Sequence, residues 1–81
     1  MIHIKLTQQE FEYLMENCQF ANAIPIICKN NNFMEICVNI NLAESIREWA
    51  LDELEIKGFD ENYELNLDGK ILETLVDLFY V

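Results

Sequence analysis

Apolar residues in this chain recur with two different periods, and the order in which those periods follow one another limits the architectures open to it. Ile2, Ile4 and Leu6 alternate with His3 and Lys5, the period-2 pattern of a half-buried strand with His3 turned outward. Thr7 and Glu10 then form a capping box, and Phe11, Leu14, Met15 and Cys18 recur at helical spacing, which predicts a helix over about Gln8–Gln19. The β-branched run around Ile24, Ile26 and Ile27 predicts a second strand. Pro25 cannot donate to a ladder, so this strand begins at the proline or lies at a sheet edge. Lys29-Asn30-Asn31-Asn32 reads as a turn, and Met34, Ile36, Val38 and Ile40 then alternate along one face of a third strand, completing a hairpin. Its other face carries Phe33, Glu35, Cys37 and Asn39, which is only partly polar and is open either to being covered or to meeting a partner.

The second half of the chain turns helical. Asn41 is a good N-cap for a helix over Leu42–Lys57, with Glu44 in the first turn and Leu42, Ile46, Trp49, Ala50 and Leu54 as its buried arc. Gly58 is expected to end that helix in the left-handed conformation, with Phe59 packing back on the last turn. An acidic and aromatic loop follows. Asn66 then caps a last helix with Asp68 in its first turn and an apolar stripe of Ile71, Leu72, Leu75, Val76 and Phe79. The order strand, helix, hairpin, helix, helix predicts one α+β domain over residues 1–81, with an antiparallel sheet of about three strands packed against three helices. At 81 residues there is room for a single core, and about 60–65% of the unfolded chain's surface is buried in domains of this size. So little spare stability argues against a strained, enclosed active site.

Charge narrows the function further. The net charge is −10, and residues 44–81 hold eleven acids against three bases, −8 of the total. Direct nucleic-acid binding is not expected, because affinity there comes from cations neutralising phosphates, and an anionic membrane surface is disfavoured for the same reason. A basic protein is the natural counterpart. At 100° per residue Glu44, Glu48, Asp52 and Glu55 fall within about 80° of one another, an acidic ridge along one helix. The acids of Asp60, Glu61 and Glu64, with Tyr63 among them, follow directly. These eight residues are the expected partner-binding set.

No catalytic site or cofactor is expected. The one histidine, His3, has no nucleophile in a recognisable elbow or triad context, and there is no P-loop or GxGxxG. Residues 60–64 lack the glycine and terminal glutamate of a calcium loop, and Cys18, Cys28 and Cys37 match neither a zinc pattern nor a disulfide framework. Without a secretory signal or an apolar run near 18 residues, a cytoplasmic protein is expected.

The run Gly58-Phe59-Asp60-Glu61-Asn62-Tyr63-Glu64-Leu65-Asn66-Leu67-Asp68-Gly69-Lys70-Ile71-Leu72-Glu73-Thr74-Leu75-Val76-Asp77 resembles the C-terminal part of small acidic bacterial immunity proteins. These antidotes are encoded beside polymorphic toxins, including those of contact-dependent growth inhibition. The resemblance covers about twenty residues closely, and the rest of the chain in length, acidity and order of elements. It implies a cytoplasmic protein that binds a cognate toxin domain, often a nuclease, and covers its active site or substrate path. It carries no binding residue over, because such proteins diverge most at the toxin interface. Two other readings stand beside it. One is a structural or regulatory subunit that pairs through Phe33, Cys37 and the sheet edge. The other is a phage-type inhibitor of a host nucleic-acid enzyme, which would use the same acids.

Overall fold

The structure, a computed structural model, describes residues 1–80. Three strands, β1 (Ile2–Leu6), β2 (Ile26–Lys29) and β3 (Met34–Val38), form one antiparallel sheet in the order β1-β3-β2. Three helices, α1 (Gln8–Asn17), α2 (Ile40–Lys57) and α3 (Leu67–Leu78), complete the α+β fold, with a 3-10 segment at Gln19–Ala23 between α1 and β2. The helices lie against one face of the sheet. Ile4 and Leu6 of β1 and Ile36 and Val38 of β3 are buried with Leu14, Ala43, Ile46, Ala50, Leu72, Leu75 and Phe79 in a single core.

Local signals place most of these elements. Thr7 Oγ1 accepts from Glu10 N–H and Glu10 Oε1 accepts from Thr7 N–H, a reciprocal cap at the start of α1. That helix stops at Asn17, two residues before the expected end, because Cys18 is extended at φ −92° and ψ 121°. The second strand begins just after Pro25 and occupies the sheet edge, so both consequences of the proline hold.

Two expectations need correction. The N-cap of α2 is Asn39, whose Oδ1 accepts from Leu42 N–H at 2.8 Å; Asn41 lies inside the helix, and Glu44 falls beyond its first turn. Ile40 is therefore helical and exposed rather than part of the strand face. Val38 is the last β3 residue paired with β1, opposite Ile2, so the chain is free to turn at Asn39. The buried residues of α2 are Ala43, Ile46 and Ala50, with Leu42, Trp49 and Leu54 half-buried beside them.

Gly58 is the second correction, being right-handed at φ −82° and ψ −9°. Glycine is needed here for proximity: a Cβ on Gly69 would strike the Gly58 carbonyl, and one on Gly58 would strike Leu54. The end of α2 and the start of α3 touch backbone to backbone, and Asn66 fastens them. Its Nδ2 donates to Lys57 O at 2.8 Å, its Oδ1 accepts from Gly69 N–H at 2.7 Å, and its own N–H donates to Gly58 O at 3.0 Å. Thus one side chain satisfies a terminal carbonyl of α2 and a terminal amide of α3. Phe59 is exposed and pairs with Leu65 in an isolated bridge, in place of the expected packing against α2.

Candidate functional site: an acidic surface on α2 and its following loop

Glu44, Glu48, Asp52 and Glu55 are all exposed along α2, as the helical period requires. No cation lies within salt-bridge distance of any of the four among the described residues; the ion pairs there are Lys57–Glu53, at 2.9 Å, and His3–Glu35, at 3.7 Å. Arg47, the base nearest to them in sequence, is turned away, its guanidinium 5.2 Å from the centroid of the Tyr80 ring. The ridge therefore keeps its negative charge. Successive like charges at i, i+4 oppose one another by a few tenths of a kcal/mol per pair, about 0.2–0.5.

The loop after α2 extends the same charge. Asp60 N–H donates to Glu64 O at 2.8 Å and Tyr63 N–H donates to Asp60 O at 3.0 Å, closing a tight turn. Inside it Asp60 Oδ1 accepts from the N–H groups of Asn62, at 2.8 Å, and Glu64, at 3.1 Å. Asp60 thus braces the loop, while Glu61, Tyr63 and Glu64 are exposed. Tyr63 is 87% exposed and adopts φ 61°, the positive-φ non-glycine residue among those described. A bulky residue in the left-handed region costs of order 1 kcal/mol or more, and strain of this kind gathers at binding sites.

A hollow of about 210 Å³ opens beside the ridge, lined by Gln19, Phe20, Ser45, Glu48, Trp49 and Asp52. Phe20 and Trp49 give it aromatic walls, and Glu48 and Asp52 give it negative charge. Such a hollow can take a cationic side chain, whose charge meets the carboxylates while its stem or guanidinium plane lies on the rings. The sequence reading missed Phe20, Trp49 and Ser45 as site residues, having placed Trp49 in the core. It also missed Leu51, exposed on α2 at nearly the same helical angle as Glu44 and Glu55. The signal for Leu51 was its position at the border of the acidic arc, about 20° from Glu44.

Elsewhere, the bare face of the sheet brings Cys37 Sγ within 3.3 Å of His3 Nδ1. Glu35 Oε1 approaches the same nitrogen, at 3.7 Å. A nucleophile–base–orienter relay needs its two partners on different ring nitrogens, and Cys37 is only 6% exposed, so this trio lacks that arrangement. Among the described residues no group of three or more His, Cys, Asp and Glu is placed to hold a metal ion, and no helix is long and apolar enough to cross a membrane. No protein-family model, curated protein or solved structure matches the chain.

Proposed function

We propose that this is a cytoplasmic bacterial immunity protein that binds a cognate toxin domain, a nuclease, and neutralises it by covering its basic substrate surface. It works by binding and catalyses no reaction. A nuclease must present Lys and Arg to phosphates, so a rigid array of carboxylates can occupy the same ground that nucleic acid does. The observation that carries this reading is the run of exposed carboxylates on α2 and the following loop, unpaired with any cation among the described residues and set against an aromatic-walled hollow. Tyr63, exposed and strained at the loop tip, adds an amphipathic aromatic of the kind that dominates interface energetics. Glu44, Glu48, Asp52, Glu55, Glu61 and Glu64 supply charge, and Asp60 holds the loop that presents the last two.

This reading requires a toxin domain encoded directly upstream of this chain's gene, and the absence of one would overturn it. The affinity of that domain is measured by calorimetry against the unaltered protein and against Glu48→Lys/Asp52→Lys. The double reversal is expected to weaken binding by at least about 100-fold, since truncating one member of a desolvated charge pair alone costs about 2–5 kcal/mol. The dependence of affinity on salt should flatten as well. Unchanged affinity and salt dependence would remove the acidic ridge from the interface.

A further inference from the structure

The acidic surface leaves another part of the molecule unexplained. Residues 17–34 form a stretch of eighteen without one acid, in a chain of net charge −10. This stretch contains the whole of β2, every residue of which is exposed, including Ile26 at 44% and Ile27 at 43%. The strand lies at the sheet edge, so one side of its backbone is unpaired.

Which groups are unpaired follows from the hairpin. Asn30 N–H donates to Phe33 O at 2.9 Å across the turn, so Asn30 and Phe33 are a hydrogen-bonded pair. In an antiparallel ladder such pairs alternate with non-bonded ones. Cys28 and Ile26 therefore bond to Glu35 and Cys37, their register partners, while Ile27 and Lys29 point their N–H and C=O groups out of the sheet. Beyond Ile26, Pro25 has no N–H to offer, which closes the edge at that end.

We propose that β2 pairs antiparallel with β2 of a second copy of this chain, joining two three-stranded sheets into one of six about a twofold axis. A symmetric register can centre on any of the four residues of β2, and the edge discriminates among them. Centring on Ile26 or Ile27 sets Ile27 or Lys29 against Pro25, which cannot complete the pair. Centring on Lys29 sets two lysines face to face. Centring on Cys28 joins Ile27 to Lys29 of the partner copy and Lys29 to Ile27, so all four outward donors and acceptors on each copy are satisfied. The two lysines then stand at opposite ends of the new pair.

The same reasoning disfavours the other edge. There His3 and Lys5 turn their backbone groups outward, because Met34, Ile36 and Val38 bond to the alternate residues of β1. Symmetric pairing about Ile4 would set His3 against Lys5 of the partner copy. Neither edge strand carries an acid of its own, but at β2, by contrast, each lysine meets an isoleucine of the partner copy and not a second basic side chain. None of the eight acidic-surface residues lies in β2, so this inference stands or falls apart from the proposed function.

The register makes a chemical prediction. Cys28 becomes a non-hydrogen-bonded pair with its own copy, with Cα atoms about 4.5 Å apart, inside the range a disulfide spans. The full chain, reduced, is expected to sediment at twice the chain mass at high micromolar concentration. Mild treatment with diamide, which takes up the two electrons and two protons of a pair of thiols as one S–S bond forms, should convert it to a covalent dimer. Cys28→Ser should keep the doubled mass and lose the covalent species. Ile27→Pro removes an outward N–H that β3 does not use, so the chain should fold and sediment as a monomer. A single-chain mass at every concentration overturns the proposal, as does a dimer that persists in folded Ile27→Pro. Crosslinking that survives Cys28→Ser overturns the register. Since the crosslink is read on the unaltered chain, failure of Ile27→Pro to fold leaves that test standing.

Discussion

Tyr63 and Asn66 lie three residues apart and represent opposite uses of a side chain. Tyr63 makes the loop less stable, being a bulky residue at φ 61° with its ring in solvent. Replacement by glycine relieves the strain, so Tyr63→Gly should raise stability by about 1 kcal/mol in urea titration and, under the proposed function, weaken binding of the toxin domain. A variant gaining stability with no loss of affinity would remove the ring from the interface. Asn66 does the reverse, holding Lys57 O, Gly58 O and Gly69 N–H at 2.8, 3.0 and 2.7 Å. Asn66→Ala orphans a helix-terminal carbonyl and a helix-terminal amide together. It should lower stability by about 1–3 kcal/mol, seen as an earlier urea midpoint with an unchanged slope.

At the scale of elements, α2 trades stability for charge. Relieving the repulsion among Glu44, Glu48, Asp52 and Glu55 by Glu48→Lys/Asp52→Lys should raise stability slightly, by a few tenths of a kcal/mol (about 0.2–0.5 per pair), read as a higher thermal midpoint. A fall in stability would mean that those carboxylates support the helix. Elements decided locally were legible in the sequence: β1 by its alternation, the start of α1 by Thr7 and Glu10, the edge position of β2 by Pro25, and α3 by Asn66 and its stripe. The start of α2 was less so, because Asn39 and Asn41 are equally good caps. The choice falls to Asn39 because β3 loses its partner after Val38. Gly58 was misread because its small size matters against Leu54, while its carbonyl is approached by Gly69, which is distant in sequence but adjacent in space. The acids of the candidate site could be read from helical period alone. Its hollow could not, since Phe20 and Trp49 meet only when the 3-10 segment packs on α2.

For the molecule as a whole, the groups whose protonation is tied to folding all point the same way. Burial pushes the Cys18 thiol above its ordinary value of 9.0 and the Tyr13 phenol above 10.0, and the hydrogen bond that the Lys57 ammonium donates to Glu53 raises that ammonium above 10.5. Tyr13 Oη is also buried with no hydrogen-bond partner among the described residues, while the nearby Lys57 charge pulls its phenol the other way. Each group is held protonated in the folded chain. Its contribution is complete below the unfolded value and lost as pH rises through the folded one. Stability measured by urea titration should therefore be flat below pH 9 as far as these three groups are concerned and decline above it, Cys18 acting first. A midpoint that does not fall in alkali would contradict this ordering. The Asn66 clasp has its own bearing on association. Because both ends of the 58–66 connection are anchored to one side chain, and Asp60 laces the turn between them, the loop would meet the proposed cationic partner already in shape. Little conformational freedom is left to lose at contact. Affinity in this region should therefore reside in slow dissociation, and loosening the clasp should quicken release well before it unfolds the chain.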